Sequence, residues 1–383
     1  LHKEYRRQRQ MCIRDSIWGR TDLIPLWVAD MDFATAPFVT DAIRKRCENE
    51  VLGYTGKPDS YYNAIINWVK QRYDLIVTKE VINFVPGIVP GIGMAMNCFT
   101  QKGDKVMIQP PVYHPFAWVT TRNERTLVIN PLKWENGMYR MDLDAFREQI
   151  KGCKLFILCN PHNPGGVVWT EAELRAIADI CYDEKVLVFS DEIHADLTLP
   201  PHTHRPFATV SEKARMNSVT FMSPSKAFNM PGLSASHALI FNEDLRKRFR
   251  IYMDAGELDM GHVFAFLSVE AAYSHGTEWL DQCLAYIQGN IDFVDEFLKK
   301  HAPKIKAIRP EASYLVWLDC RELELSQKDL NEFFVDKAHL ALNDGEMFGK
   351  EGIGFMRLNV ASPRCIIEKA MKQLADAYQL YIK

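Results

Sequence analysis

Lys226 lies in the run Met222-Ser223-Pro224-Ser225-Lys226-Ala227-Phe228, just past an apolar stretch and 35 residues after Asp191 of Ser190-Asp191-Glu192-Ile193-His194. Upstream of both comes Asn160-Pro161-His162-Asn163-Pro164-Gly165-Gly166. A lysine, an aspartate and an asparagine, each following a β-like run, are the parts that hold pyridoxal phosphate. The lysine amine forms a Schiff base with it, and the aspartate keeps the pyridine nitrogen protonated so that the ring accepts electrons. The asparagine amide can donate to the ring's phenolate oxygen. Taken together, the three predict an enzyme that depends on this cofactor.

Each residue also has an ordinary reading. A lone lysine is most often at the surface, a lone aspartate can cap a helix, and Asn163 can be a turn residue among its prolines and glycines. Asp191, however, closes the apolar run Val186-Leu187-Val188-Phe189-Ser190. Pairing with a pyridinium explains an acid at the mouth of a buried strand. A phosphate needs donors. Ile88 and Val89, following Gly87 at a helix start, offer backbone N–H groups, and Ser223 and Ser225 offer hydroxyls. Tyr113 either packs in the core or stacks on the pyridine ring. Arg357 interrupts the β-like run Gly354-Phe355-Met356-Arg357-Leu358-Asn359. It is either a structural ion pair or a bidentate clamp for a substrate carboxylate, with Arg364 as second candidate for the clamp.

These residues need elements to place them. Short apolar runs at 105–109, 126–130, 154–159, 185–190, 218–222 and 237–241 alternate with helical patterns. Their continuous apolar character suits strands of a mostly parallel sheet covered on both faces. Thr170-Glu171-Ala172-Glu173 is a capping box, and Leu174, Ile177, Ala178 and Cys181 follow at helical spacing. The pattern is βαβ, with Asn163, Asp191 and Lys226 at the carboxyl ends of strands, where open α/β sheets bind ligands. A long helix is expected from Thr277 as N-cap, with Leu280, Leu284, Ile287, Ile291, Val294 and Leu298 on one stripe. A strand at 314–318, a helix opened by Ser326 and a last helix ending near Tyr381 follow. The expected division is residues 17–47 packing on a small domain, 48–285 as the large cofactor-binding domain, and 286–383 as the small α/β domain.

Bulk properties narrow the function classes. The chain has 383 residues, 47 % of them apolar and 25 % charged, which allows two domains and a large core. A net charge of −3 gives no reason to expect nucleic acid or an anionic membrane as partner. No stretch reaches the roughly 18 uninterrupted apolar residues of a membrane span. Nine cysteines form no C-x-x-C pair, which favours reduced thiols and a cytoplasmic setting over a disulfide framework or a metal site. Residues 1–16 carry five basic side chains against two acidic ones, while the rest of the chain carries 41 against 47. That end is expected to be a disordered or non-native tail, with a basic binding segment as the other reading.

At these motifs the chain resembles the fold-type I pyridoxal phosphate enzymes of the class I/II aminotransferase superfamily, from about Ile17 onward. Two features resemble one branch, the bacterial cystathionine β-lyase or cysteine C–S lyase group: Leu26-Trp27-Val28-Ala29-Asp30-Met31-Asp32-Phe33, and histidine at position 194, where most aminotransferases of the class carry tyrosine. The resemblance implies that Tyr54 reaches the phosphate of a neighbouring subunit in a homodimer. It also implies that Arg357 binds the α-carboxylate of an amino-acid substrate, that Tyr113 stacks on the cofactor, and that His194 belongs to the cofactor site. One departure weakens the phosphate assignment: Ser234 stands where many relatives carry a phosphate-binding arginine. The implied reaction is β-elimination from an L-cysteine S-conjugate. An aminotransferase needs the same electron sink, and a regulatory protein on the same fold is a third reading.

Overall fold

The computed structural model describes residues 17–382, so the tail expected at 1–16 lies outside the described residues. Seven strands form the central sheet: β1 (Ile82–Val85), β2 (Lys105–Ile108), β3 (Thr126–Ile129), β4 (Cys153–Cys159), β5 (Leu187–Asp191), β6 (Ser218–Met222) and β7 (Ser236–Leu239). Their order is β1-β7-β6-β5-β4-β2-β3. All neighbours from β6 to β3 run parallel, and β7 is antiparallel to both of its neighbours. Each of the six apolar runs becomes a strand to within two residues at either end. The fold is α/β with a mostly parallel sheet, as expected.

Nine longer helices matter here: α1 (Pro37–Cys47), α2 (Asp59–Tyr73), α3 (Ile88–Phe99), α4 (Pro115–Arg122), α5 (Glu171–Asp183), α6 (Glu243–Asp254), α7 (Val263–His275), α8 (Thr277–His301) and α9 (Arg364–Tyr381). They explain why the strands lack alternation. On one side Phe189 and Phe221 pack with Ile92, Ala95 and Phe249 of α3 and α6. Elsewhere Phe156 and Val188 meet Leu174, Ile177 and Cys181 of α5. A strand covered on both faces is apolar at every position, and each fully buried large side chain contributes about 1.5–3 kcal/mol.

The capping box of α5 forms in both directions, with Thr170 Oγ1 accepting from the Glu173 N–H (3.2 Å) and Glu173 Oε2 from the Thr170 N–H (2.8 Å). The stripe of α8 is buried as expected, but Thr277 is not its cap. Gly276 is, shared with the end of α7, and the position admits only glycine, since a Cβ there would lie 2.2 Å from the Ala272 carbonyl oxygen and 2.3 Å from the Phe228 ring. The expected boundary at 285 falls inside α8, which runs unbroken to His301.

A second sheet contains β8 (Lys306–Ile308), β9 (Leu315–Asp319), β10 (Asn343–Asp344) and β11 (Phe355–Asn359), in antiparallel order β8-β9-β11-β10. Ile24–Pro25 pairs in parallel with Leu340–Ala341, which fixes the N-terminal stretch on this side of the molecule. From there residues 26–33 run as a strap. Asn359 Nδ2 donates to the Val28 and Asp30 carbonyls (2.6 Å each), and Asn229 Nδ2 donates to those of Met31 (2.9 Å) and Phe33 (2.8 Å). Asn359 ends β11, whereas Asn229 follows Lys226 by three residues. The strap therefore ties the second sheet to the carboxyl edge of the first.

Candidate active site

Asp191 is the last residue of β5 and only 3 % exposed. Burial pushes its carboxyl up to about 7, partly opposed by the Ile193 N–H that donates to Oδ1 at 3.1 Å. Such a carboxyl ionises fully only beside a compensating cation. Lys226 sits one strand away, on the turn after β6, where Phe228 N–H returns to the Pro224 carbonyl (2.9 Å) and Met230 N–H to that of Ser225 (2.9 Å). Its amine donates to the Ala29 carbonyl at 2.5 Å. Burial holds its pKa down at about 8, with Asp30 pulling it upward, Arg357 downward and Asp191 upward.

Arg357 stands mid-strand in β11, opposite Trp317 and Asn343. Its guanidinium donates to Asn163 Oδ1 (3.0 Å), the Trp27 carbonyl (3.0 Å) and Asn343 Oδ1 (2.5 Å), and lies 4.8 Å from the Phe348 ring centroid. Every one of these acceptors is neutral. Among the described residues no carboxylate comes within ion-pair distance of Arg357, and its buried Nε has no partner. Burial lowers its pKa to about 10. A buried guanidinium without a counter-ion is suited to receive an anionic group. Asn163 turns its oxygen toward Arg357, so its amide nitrogen points the other way as a donor.

His194 is buried, and its Nδ1 has no partner. Burial, then Lys226 and Arg357, press its pKa down to about 3, so the ring is a neutral imidazole. Burial raises the Tyr113 phenol, and the nearby Asp191 adds to the rise. The ring of Tyr113 is half-buried, edge-on to Phe116 at 5.8 Å. Ile88 and Val89 form the first turn of α3 after Gly87, whose φ of +132° favours glycine. Pro90 has no N–H and Gly91 N–H bonds back to the Gly87 carbonyl (2.9 Å), which leaves the amides of Ile88 and Val89 as the unpaired donors of that helix start.

Ser223 is committed to its own turn. Its hydroxyl donates to the Ala235 carbonyl (2.8 Å), accepts from the Ser225 N–H (3.1 Å) and is bonded to the Ser225 hydroxyl (2.9 Å), so the two serines brace each other. Arg364 is engaged elsewhere, on Asn290 Oδ1 (2.8 Å) and the Gly289 carbonyl (2.6 Å) of α8. Tyr54 is 98 % exposed and does not join the other residues within its own chain. Ala29, Asp30, Tyr314, Asn343 and Phe348 line this place without having been singled out as site residues. The run 26–33 was visible as a motif, but only the threading of the strap brings Ala29 to Lys226.

The arrangement fits pyridoxal phosphate. A buried acid offers a place to a cationic ring nitrogen, a lysine amine stands within its field, and unpaired N–H groups at a helix start suit a phosphate. The comparisons agree. The family model "Aminotransferase class I and II" matches residues 21–374. Cystathionine beta-lyase PatB of Bacillus subtilis is 38 % identical over 363 residues, covering 94 % of each chain. A PLP-bound putative aminotransferase from Clostridium difficile superposes with a TM-score of 0.94 at 40 % identity, covering 96 % of each chain. The PLP-bound C-S lyase from Staphylococcus hominis does so with a TM-score of 0.88 at 34 % identity, over 95 % of this chain and 93 % of its own. The chain belongs to the class I and II aminotransferase family.

Proposed function

We infer that the chain is a pyridoxal phosphate-dependent carbon–sulfur β-lyase. It cleaves L-cystathionine or a related L-cysteine S-conjugate to a thiol, pyruvate and ammonia. The observation that carries this reading is the meeting of Lys226, Asp191, Asn163 and the ion-pair-free Arg357 at one place, in a chain similar to proteins named cystathionine beta-lyase and C-S lyase.

When bound, the cofactor supplies an electron sink for negative charge at the substrate Cα. The chain's own residues do the rest. Arg357 receives the substrate carboxylate and orients Cα. Lys226 removes the Cα proton as general base, and its pKa of about 8 leaves a useful neutral fraction near neutral pH. Asp191 keeps the ring nitrogen protonated, Asn163 donates to the phenolate oxygen, and Tyr113 covers the ring. His194 lies in the cofactor pocket as a neutral ring. The Ile88 and Val89 amides would hold the phosphate, with Ser225 beside them and Ser223 bracing the turn that carries Ser225.

The same reading makes the protein a cytoplasmic homodimer. Val51, Leu52 and Tyr54 are 71 %, 63 % and 98 % exposed in an irregular segment, an apolar run that a second copy would cover. Tyr54 then reaches the phosphate of the partner's site. The eight cysteines among the described residues are all unpaired, which suits a reducing compartment. No helix among the described residues is long and apolar enough to cross a membrane. An aminotransferase would use the same four residues but needs a keto acid to complete its cycle, and the name of the Clostridium difficile relative favours weighing it. A purely regulatory role would not need Lys226 and Asp191 in place.

The deciding experiment measures pyruvate from L-cystathionine with cofactor-loaded protein and no keto acid, with Lys226→Ala as control. Pyruvate that disappears in the variant establishes β-elimination. Amino transfer that appears only when a keto acid is added replaces the lyase reading with an aminotransferase.

A further inference from the structure

Side chains along a strand alternate, so Ser190 projects opposite to Asp191, and Glu192, just past the strand end, is held beside Ser190 by a hydrogen bond. Glu192 is 1 % exposed, and its carboxylate collects three donors. Oε1 accepts from Ser190 Oγ (2.8 Å) and the Phe207 N–H (2.8 Å), and Oε2 accepts from His204 Nε2 (2.8 Å). Among the described residues its only ion-pair partner is that histidine. His204 is itself buried, its Nδ1 has no partner, and its ring meets Tyr73 edge-on at 5.5 Å. Tyr73 in turn donates to Asp196, which also accepts from Trp68 Nε1 at 3.0 Å. A well-bonded acid thus sits one peptide behind the acid that faces the site, with no lysine or arginine to neutralise it.

We propose that Glu192, held by Ser190, Phe207 and His204, is an electrostatic positioning residue for the cofactor. Its buried charge reinforces that of Asp191 and strengthens the hold on a protonated ring nitrogen. The inference rests on the reading that Asp191 meets that nitrogen. Water screens little of a charge this deeply buried, so it acts across one residue. Burial is the main cause of the rise of the Asp191 carboxyl, and the neighbouring Glu192 adds to it.

The test compares binding of pyridoxal phosphate with binding of an analogue in which CH replaces the ring nitrogen. Both are titrated into cofactor-free protein and read as dissociation constants. Glu192→Gln keeps the shape and the acceptor oxygen but removes the charge. It is expected to weaken pyridoxal phosphate about tenfold, which is about 1.4 kcal/mol, and to leave the analogue unchanged. Equal weakening of both ligands, or of neither, overturns the proposal, because a structural role cannot tell the two ligands apart. The double variant Glu192→Gln/His204→Gln replaces the hydrogen-bonded pair by an amide pair. It carries the same expectation should the single variant fold poorly. Asp191→Asn is run alongside. A selective loss there without one at Glu192 sinks this proposal alone, whereas no selective loss at Asp191 sinks the reading beneath it.

Discussion

The amine of Lys226 donates to the carbonyl oxygen of Ala29 at 2.5 Å, and the Tyr314 hydroxyl donates to the same oxygen at 3.0 Å. Two donors sharing one acceptor compete for it, so the N-terminal strap helps to set how readily the lysine holds its proton. Removing the tyrosine hydroxyl leaves the carbonyl to the ammonium form, which favours that form. Tyr314→Phe is expected to move the acidic limb of the kcat pH profile upward by about half a unit, well within the worth of one hydrogen bond. The kcat profile is the right measure, because Lys226 is free only in the substrate complex. An unmoved or downward-shifted limb contradicts the shared-acceptor account.

Asp191 should make the cofactor-free protein less stable as pH rises. Its folded pKa of about 7 lies above the ordinary carboxylate value, so the folded state binds more protons than the unfolded one between about pH 4 and 7. Stability therefore falls with rising pH through that window. Asp191→Asn removes the buried charge, and at pH 8 it is expected to stabilise cofactor-free protein by on the order of 4 kcal/mol. Below about pH 4 the acid is neutral in both the folded and the unfolded state, and the gain shrinks toward zero. Urea denaturation of both proteins at the two pH values checks this. A gain equal at both would show that charge is not the cause.

Arg357 bridges Asn163 beside β4 and Asn343 on β10, so its fork orients more than one group. Arg357→Lys keeps the charge but loses the planar fork. The expected outcome is a KM for the amino-acid substrate raised at least about tenfold, the worth of one charge-assisted hydrogen bond. Affinity for pyridoxal phosphate should change less than about threefold, the scale of one neutral hydrogen bond. Steady-state kinetics and cofactor titration together test the split. A larger loss in cofactor affinity than in KM would remove Arg357 from the carboxylate site.

Much of the fold and of the site is legible in the sequence. The sheet was readable because strands buried on both faces are apolar throughout, and the acid of Asp191 stands out at the end of such a run. The capping box of α5 was readable because it is local. The parts that were missed depend on long-range threading. Nothing near Ala29 in sequence says that its carbonyl meets Lys226, 197 residues away. The cap of α8 was misplaced for a related reason. Thr277 has the better capping side chain but is already the first helical residue, and the close approach of Phe228 leaves room only for glycine at the cap position before it. Arg357 ranks ahead of Arg364 as the clamp because it interrupts a β-like run, and the structure separates the two: one is mid-strand in β11, the other is on the first turn of α9.

Tyr54 supplies the sharpest test of the shared site. Since 98 % of the residue is exposed in one chain, Tyr54→Ala should change chain stability by less than about 0.5 kcal/mol. It should nonetheless weaken cofactor binding and activity if the tyrosine reaches a partner's phosphate. Mixing inactive Lys226→Ala chains with Tyr54→Ala chains then produces hybrids in which one site carries both substitutions and the other carries neither. Random pairing puts half the dimers in that state with one intact site each, so about a quarter of the wild-type activity should return, by the two-fold symmetry of such an interface. Activity assayed before and after subunit exchange reads this directly. No recovery, with exchange confirmed by mass, would mean that Tyr54 serves its own chain or none.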